Sequence, residues 1–300
     1  MTRTPKDLIL LDGGTGRELQ RIGAPFAQPE WSALALIEAP DFVTRVHQAY
    51  LEAGADVLTT NSYALVPFHI GEARFAAEGR RLAALAGRLA RDVADVAGGA
   101  AKIAGSLPPV CGSYRADLFD PDQARPILET LVDGLAPFVD HWLAETLSTL
   151  QEAHLVRRVL ADKPGPLWLS FTLADEPGCA VQLRSGQAVN DAALTAMDLG
   201  AAALLFNCSQ PEVMTGALEI ASDTLARRGG VVKLGAYANA FGPQNAKAQA
   251  NENLDALRED LTAEGYLAFA RTWRDCGAQI IGGCCGVGPE HIALLRSQLV

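Results

Sequence analysis

The chain has 300 residues, of which 49% are hydrophobic and 20% charged, the composition of a globular protein with a sizeable core. Its formal net charge of −10 argues against a nucleic-acid partner, which would need a basic face. No run approaches the ~20 apolar residues of a membrane span, and the N-terminal run Leu8–Leu11 is shorter than the core of a signal peptide. We therefore expect a cytoplasmic protein with no membrane partner, whose six cysteines are free or metal-bound.

Short apolar runs alternate with amphipathic stretches along the chain. The runs predict eight strands, at residues 8–11, 56–60, 102–105, 141–145, 167–171, 202–206, 231–236 and 279–282. The stretches between them predict helices at residues 40–53, 72–96, 121–133, 147–161, 189–199, 211–228 and 262–276. Strands that alternate with helices form parallel sheets. Eight such units fit a single (β/α)8 TIM barrel of the α/β class over residues 1–300 better than a doubly wound sheet.

In such a barrel the chemistry lies at the carboxyl ends of the strands. The longest polar stretch, residues 239–260, follows the seventh strand and predicts a long loop over this rim. The candidate functional residues at or just after strand ends are Asp12, Gly13, Gly14, Tyr63, Glu145, Cys208, Tyr237, Asn239, Cys284 and Cys285. We expect them to lie at one end of the barrel.

Residues 282–286 read Gly-Gly-Cys-Cys-Gly. Neighbouring side chains of a strand point to opposite faces, but the glycines allow the backbone to leave strand geometry, so both thiols can converge on one point. Together with Cys208 they would supply three thiolates for Zn²⁺ and leave its fourth position open, as in a catalytic zinc site. Two other interpretations remain, in which Cys208 is a small buried apolar residue or Cys284 and Cys285 form a strained disulfide.

Two carboxylates, Asp12 and Glu145, end otherwise apolar strands on this rim. Such a pair would suit a substrate ammonium group or acid–base chemistry, and the N–H groups of Gly13 and Gly14 are approachable for a bound carboxylate. Each acid also has a structural interpretation. Asp12 before two glycines is typical of a turn, and Glu145 of the start of a helix.

Several motifs together resemble the homocysteine S-methyltransferase family. They are Asp12-Gly13-Gly14 with Glu18-Leu19, residues 53–56 with Thr60, Ser62 and Tyr63, Glu145-Thr146, Asn207-Cys208, and residues 281–286 followed by Pro289, His291 and Ile292. They occur in the right order over nearly the whole chain, and the paired cysteines with an upstream Asn-Cys are highly specific.

The resemblance implies a zinc-dependent barrel enzyme that methylates the thiol of homocysteine to give methionine. It implies that Cys208, Cys284 and Cys285 bind the Zn²⁺ ion. A free thiol has a pKa of ~8.5 and is mostly protonated at neutral pH. Coordination to Zn²⁺ deprotonates it, so that a thiolate is available to attack an activated methyl group.

The same resemblance implies where homocysteine binds. Asp12 and Glu145 are expected to hold its amino group, and the backbone at Gly13 and Gly14 to lie near its carboxylate. The sequence does not indicate the oligomeric state.

The methyl donor is expected to be a small sulfonium or betaine-type cation. Tyr63, Tyr237 and Asn239 are candidates for the donor side, since aromatic faces stabilise cations, although packing is their other interpretation. The chain leaves no extension for folate or cobalamin modules, and its first loops show no clear aromatic cage, which favours S-methylmethionine or S-adenosylmethionine over betaine. Two residues depart from the family pattern. Arg17 stands where many relatives have a small hydroxyl residue, and Ala238 replaces the proline of the more usual Tyr-Pro-Asn.

Two other functions are compatible with the same residues. The first is a zinc hydrolase, with water at the open metal position and Glu145 as the base. The second is a non-catalytic barrel that binds zinc or a thiol. Turnover without a thiol acceptor would favour the hydrolase, and tight homocysteine binding without methyl transfer would favour the binding protein.

Overall fold

The computed structural model describes residues 8–243 and 256–300. Its strands are β1 (Ile9–Leu10), β2 (Val57–Thr59), β3 (Lys102–Leu107), β4 (His141–Leu147), β5 (Leu167–Phe171), β6 (Ala203–Asn207), β7 (Lys233–Tyr237) and β8 (Ala278–Ile281). They form one sheet in the order β1-β8-β7-β6-β5-β4-β3-β2, and every neighbouring pair is parallel.

The two ends of this sheet meet between β1 and β2. Leu11 forms a parallel bridge with Val57, and the Asp12 N–H donates to the Val57 carbonyl oxygen at 3.1 Å. The Asp56 N–H donates to the Leu10 carbonyl oxygen at 2.8 Å, while the Asp56 carboxylate accepts the Leu10 N–H at 2.8 Å. These bonds close the eight strands into a barrel, so the predicted (β/α)8 TIM barrel is confirmed.

Helices lie between the strands in sequence and cover the outside of the barrel. They are α1 (Thr15–Arg21), α2 (Ser32–Glu38), α3 (Pro40–Glu52), α4 (Pro67–Ile70), α5 (Glu72–Val96), α6 (Pro121–Leu135), α7 (Leu150–Val159), α8 (Val189–Asp198), α9 (Pro211–Arg228), α10 (Ala263–Asp275) and α11 (Pro289–Leu299). Thr149 and Glu152 form a capping box at the start of α7. None of the helices in the described parts of the chain is long and apolar enough to cross a membrane.

Some boundaries differ from the predicted ones. β4 extends to Leu147, beyond the predicted end at Glu145, and α7 therefore begins at Leu150 instead of residue 147. Every residue of β4 is buried, and a strand buried on both faces gives no alternation that marks its end. Four helices, α1, α2, α4 and α11, are not among the predicted ones. The first three have seven residues or fewer, which carry little helical periodicity. Residues 244–255 of the predicted long loop lie outside the described residues.

The barrel interior changes from apolar to polar along the strands. Side chains two positions apart share one face of a strand. The apolar interior includes Ala104, Leu143, Trp168, Ala203, Leu205 and Ile280. One step further toward the carboxyl ends, the buried residues on the same faces are Ser106, Glu145, Ser170, Asn207 and Tyr237. A layer of polar side chains therefore lies directly beneath the rim where the chemistry is expected.

The main hydrophobic core lies between the helices and the outer face of the barrel, and its largest buried side chains include Tyr50 and Tyr266. Both tyrosines also bind the stretch that carries the paired cysteines. The Tyr50 hydroxyl donates to the Val287 carbonyl oxygen at 3.0 Å, and the Tyr266 hydroxyl to the Gly282 carbonyl oxygen at 2.7 Å. The core thus anchors this stretch at both of its ends.

Candidate active site

Three cysteines come together at the carboxyl ends of β6 and β8. The Sγ atoms of Cys208, Cys284 and Cys285 all lie within 4.8 Å of one another, and 3.2 Å separates those of Cys284 and Cys208. Each is a free thiol; Cys208 is buried, and the other two are partly exposed. Because the sulfur of Cys208 faces another sulfur, its environment differs from that of an apolar core cysteine.

This sulfur cluster fits a metal ion. The pKa of the Cys284 thiol lies well above its ordinary value, because its hydrogen bonds to Cys208 and Cys285 favour the protonated form and burial adds to this effect. Three thiolates without a counterion would repel one another strongly in such a site. A divalent cation reverses that balance by stabilising the deprotonated sulfurs, and zinc is the common divalent ion that prefers such ligands.

Unusual backbone angles turn two strand ends into the site. Cys208 has φ +53° and Thr146 has φ +59°, a region that residues other than glycine rarely adopt. The Asn207 side chain supports the conformation at Thr146. Its Oδ1 accepts the Thr146 N–H at 2.9 Å and the Ser170 hydroxyl at 2.7 Å, and its Nδ2 donates to Thr146 Oγ1 at 2.9 Å. Asn207 thereby ties the end of β4, which carries Glu145, to the end of β6.

Gly13 and Gly14 bring the end of β1 against the cysteine stretch. A Cβ atom on Gly13 would lie 2.3 Å from the Val287 carbonyl oxygen, and one on Gly14 would lie 2.5 Å from the Cys284 carbonyl oxygen. The Gly14 N–H donates to the Val287 oxygen at 2.9 Å. Close packing of two chain segments therefore requires glycine at both positions, and the Gly14 amide is already used within the protein.

Asp12 is buried at the end of β1 and binds the neighbouring strand. Its Oδ2 accepts the Thr59 N–H at 2.6 Å, and its Oδ1 accepts the Thr59 hydroxyl at 2.8 Å. Burial raises the pKa of Asp12 to about 7, although the bonds from Thr59 lower it and the charge of Glu145 raises it further. Because both oxygens accept from Thr59, Asp12 joins the end of β1 to β2.

Glu145 is buried within β4 and is not at the start of a helix. Its Oε1 accepts the Ser106 hydroxyl at 2.5 Å, and its Oε2 accepts the Tyr237 hydroxyl at 3.2 Å. Burial raises the pKa of Glu145 to about 7, the bond from Ser106 lowers it, and the charge of Cys208 raises it. Two carboxyl groups are thus held in one buried region, where a cationic group would favour the ionised form of both.

A cavity of about 140 Å³ opens at this rim. Nine predicted site residues line it: Asp12, Gly13, Gly14, Tyr63, Glu145, Cys208, Tyr237, Cys284 and Cys285. Asn239 is not among its lining residues; it is buried, and its Oδ1 accepts the Phe241 N–H at 3.3 Å. Trp31 and Phe241 add aromatic surface that the sequence analysis does not assign.

Other residues of the site are also missing from the sequence-based predictions. The Tyr114 hydroxyl lies 2.9 Å from Cys208 Sγ, although 94 positions separate the two residues in sequence. Tyr114 lies in the loop after β3, and no motif near it in the sequence indicates a sulfur partner. Thr59 and Ser106 are different, since they lie next to the ends of the predicted strands 56–60 and 102–105. Hydroxyl groups there are candidates for binding a carboxylate on the same rim.

Comparisons with known proteins identify the family of this chain. Residues 9–299 match the family model for homocysteine S-methyltransferase. The homocysteine S-methyltransferase of Escherichia coli (strain K12) is 32% identical, over 98% of this chain and 96% of its own. The homocysteine S-methyltransferase YbgG of Bacillus subtilis (strain 168) is 31% identical, over 95% and 92%. The metallated form of the homocysteine methyltransferase MmuM from Escherichia coli aligns with a TM-score of 0.75 at 28% identity, over 98% of this chain and 96% of that one. The chain therefore belongs to the homocysteine S-methyltransferase family, and the prediction of a methyltransferase of this class is confirmed.

Proposed function

We propose that this enzyme uses zinc to transfer a methyl group from a small sulfonium donor to the thiol of homocysteine, giving methionine. The observation that carries the proposal is the convergence of three cysteine sulfurs within 4.8 Å of one another at the mouth of the barrel. Cys208, Cys284 and Cys285 would hold the ion as thiolates. Zn²⁺ with three protein ligands keeps a fourth position, at which it would hold the substrate sulfur as a thiolate at neutral pH.

Asp12 and Glu145 are proposed to hold the ammonium group of homocysteine. Both are buried on the cavity wall, and burial raises the pKa of each to about 7. A bound ammonium group would supply the positive charge that two buried carboxylates lack. Thr59 and Ser106 orient the two acids by the hydrogen bonds described above, which fixes the substrate relative to the sulfur cluster.

The donor is proposed to lie against the aromatic part of the cavity. Tyr63, Tyr237, Trp31 and Phe241 line it, and aromatic faces stabilise a cation that is removed from water. Asn239, whose Oδ1 accepts the Phe241 N–H, is also proposed to lie on the donor side. We propose S-methylmethionine or S-adenosylmethionine ahead of betaine. A cationic donor loses its charge on transfer and departs as a neutral molecule, so the main task of these residues is to align the methyl group with the sulfur.

The test is methyl transfer by purified, zinc-loaded protein. Homocysteine is supplied with S-methylmethionine, S-adenosylmethionine or betaine in separate reactions, and methionine is measured by mass spectrometry. We expect methionine from a sulfonium donor, loss of bound zinc in Cys208→Ala and Cys285→Ala, and at least a hundredfold slower methionine formation in both. The control is Cys179→Ala, which removes an exposed thiol outside the site.

Methionine formation that survives in Cys208→Ala or Cys285→Ala would contradict the zinc-thiolate proposal. Fastest methionine formation from betaine would contradict the proposed donor but not the proposed zinc site. Hydrolysis of a donor in the absence of any thiol would favour the alternative hydrolase. Tight homocysteine binding without methionine from any donor would favour the non-catalytic barrel.

A further inference from the structure

Tyr114 lies against the sulfur cluster in a place that the proposed function does not use. Its hydroxyl is 2.9 Å from Cys208 Sγ, and its side chain is buried on the wall of the cavity. A phenol donates one hydrogen bond, and a thiolate sulfur has only acceptor capacity. With Cys208 deprotonated, the Tyr114 hydroxyl therefore donates to Sγ.

The surrounding loop holds this phenol in place. Tyr114 has φ +66°, a conformation that is unfavourable for a residue other than glycine and persists only where neighbouring contacts impose it. The Arg184 guanidinium lies 5.1 Å from the centroid of the Tyr114 ring, and Arg184 pairs with buried Asp175 at 3.0 Å. A cation over the ring is attracted to its face, and by drawing electron density from the ring it makes the O–H a stronger donor.

The cysteine thiolates of the proposed zinc site would compete with the substrate thiolate for the methyl group of the donor. A substrate sulfur at the open position of the proposed zinc site would lie beside Cys208. A methyl donor that reaches it would also approach the Cys208 thiolate, which is the nucleophilic form of cysteine. Attack by Cys208 would form an Sγ–CH3 bond, break the methyl–sulfur bond of a sulfonium donor and release the neutral thioether. The enzyme would lose one thiolate ligand. A hydrogen bond to Sγ draws charge from its lone pairs and slows this side reaction.

We propose that Tyr114 is a positioning residue that protects Cys208 from methylation, because its hydrogen bond makes this sulfur a poorer nucleophile than the substrate sulfur. The inference rests on the proposed zinc site. It assigns Tyr114 a role in choosing which sulfur atom receives the methyl group.

The test omits homocysteine and uses methyl iodide as the probe, which transfers CH3 to a thiolate and releases iodide. Zinc content is measured first, and peptide mass spectrometry then follows the methylation of Cys208 over time. Tyr114→Phe removes the hydroxyl and keeps the ring. We expect Cys208 methylation to become about tenfold faster, the factor for one hydrogen bond to a charged group. The matched control is Tyr50→Phe, because that buried hydroxyl bonds to the backbone of Val287 and not to sulfur.

Equal Cys208 methylation in the wild type and Tyr114→Phe would overturn the proposal. Equal acceleration in Tyr50→Phe would also overturn it, since the cause would then be general loosening of the cysteine stretch. If Tyr114→Phe does not fold, 3-fluorotyrosine at position 114 decides, because it keeps the contacts and strengthens the donor. Methylation must then become slower than in the wild type, and an unchanged rate would overturn the proposal. A wild-type protein that binds no zinc would instead overturn the proposed zinc site on which this inference rests.

Discussion

Three buried carboxyl groups, those of Asp12, Glu145 and Glu152, have pKa values raised to about 7 by burial. The first two line the cavity beside the cysteines, so a metal ion or substrate bound there would change their titration. Glu152 instead caps α7, where its carboxylate accepts the Ser148 and Thr149 N–H groups at 2.8 and 2.7 Å. The titration of Glu152 therefore shows the effect of burial on a carboxyl group that takes no part in the proposed chemistry.

Glu152→Gln should change the pH dependence of stability. In the wild type the unfolded chain loses the Glu152 proton near its ordinary pKa of 4.5, whereas the folded protein keeps it up to about 7. The wild type therefore loses stability relative to the variant as pH rises from 4.5 to 7, by up to about 3 kcal/mol, and the difference is constant above that range. Urea unfolding of both proteins at pH 5 and pH 8 measures this. A difference that does not change with pH would contradict the prediction.

At the scale of secondary-structure elements, the site depends on how closely the end of β1 approaches the stretch after β8. Gly13 and Gly14 permit this approach because neither has a Cβ atom, and Tyr50 and Tyr266 hold the cysteine stretch from the core side. Asn207 has the corresponding role between β4 and β6. The sulfur cluster is therefore positioned by contacts between the ends of strands that are far apart in sequence.

Gly14→Ala should weaken both the fold and zinc binding. Its new methyl group would lie 2.5 Å from the Cys284 carbonyl oxygen, and such overpacking costs about 1–3 kcal/mol. Displacement of Cys284 should also lower zinc affinity at least tenfold. Unfolding curves and competition with a zinc chelator measure the two effects.

Gly16→Ala is the matched control for that change. Gly16 lies in α1, and its nearest contact to a new Cβ would be an ordinary 3.4 Å. Alanine also favours the helix over glycine by about 0.5–1 kcal/mol. We expect unchanged or slightly higher stability and unchanged zinc affinity. Equal loss of zinc affinity in both variants would show that the close contact at Gly14 is not the cause.

At the scale of the whole molecule, the barrel is closed where β1 meets β2, and α11 supports this seam. Arg296 of α11 donates from Nε to the Gly54 carbonyl oxygen at 2.8 Å and pairs with Asp56 at 2.5 Å. The Asp56 carboxylate in turn accepts the Leu10 N–H across the seam. The C-terminal helix is thus joined to the place where the first two strands meet.

Arg296→Met should destabilise the barrel by about 1 kcal/mol, because it removes bonds to Gly54 and Asp56 that are only partly exposed to screening by water. Arg227→Met is the control, since Arg227 pairs with Asp223 at 3.5 Å and both side chains are more than 70% exposed. We expect no measurable change there. Urea unfolding of the two variants measures the difference, and equal effects would show that α11 does not support the seam.

Much of this arrangement could be predicted from local pattern. Alternation of apolar runs with amphipathic stretches predicts the barrel, because each βα unit buries its own apolar face in the same way. Parallel strands place their carboxyl ends on one rim, which is why Cys208, Cys284 and Cys285 could be grouped before their distances were known. Adjacent cysteines between glycines indicated a metal site by residue type, although a disulfide between them was an alternative that the sequence did not exclude.

The remaining features arise from contacts between distant parts of the chain. The Tyr114 hydroxyl reaches Cys208 because a loop folds over the rim in a conformation that no local pattern encodes. The raised pKa values of Asp12 and Glu145 come from burial, which exists only after the barrel closes around them. Residue types and spacing by themselves determined the barrel and the sulfur-rich rim. Only the tertiary structure decided which hydroxyl groups orient each acid and each sulfur, because hydrogen bonds and desolvation depend on three-dimensional distance and not on position along the chain.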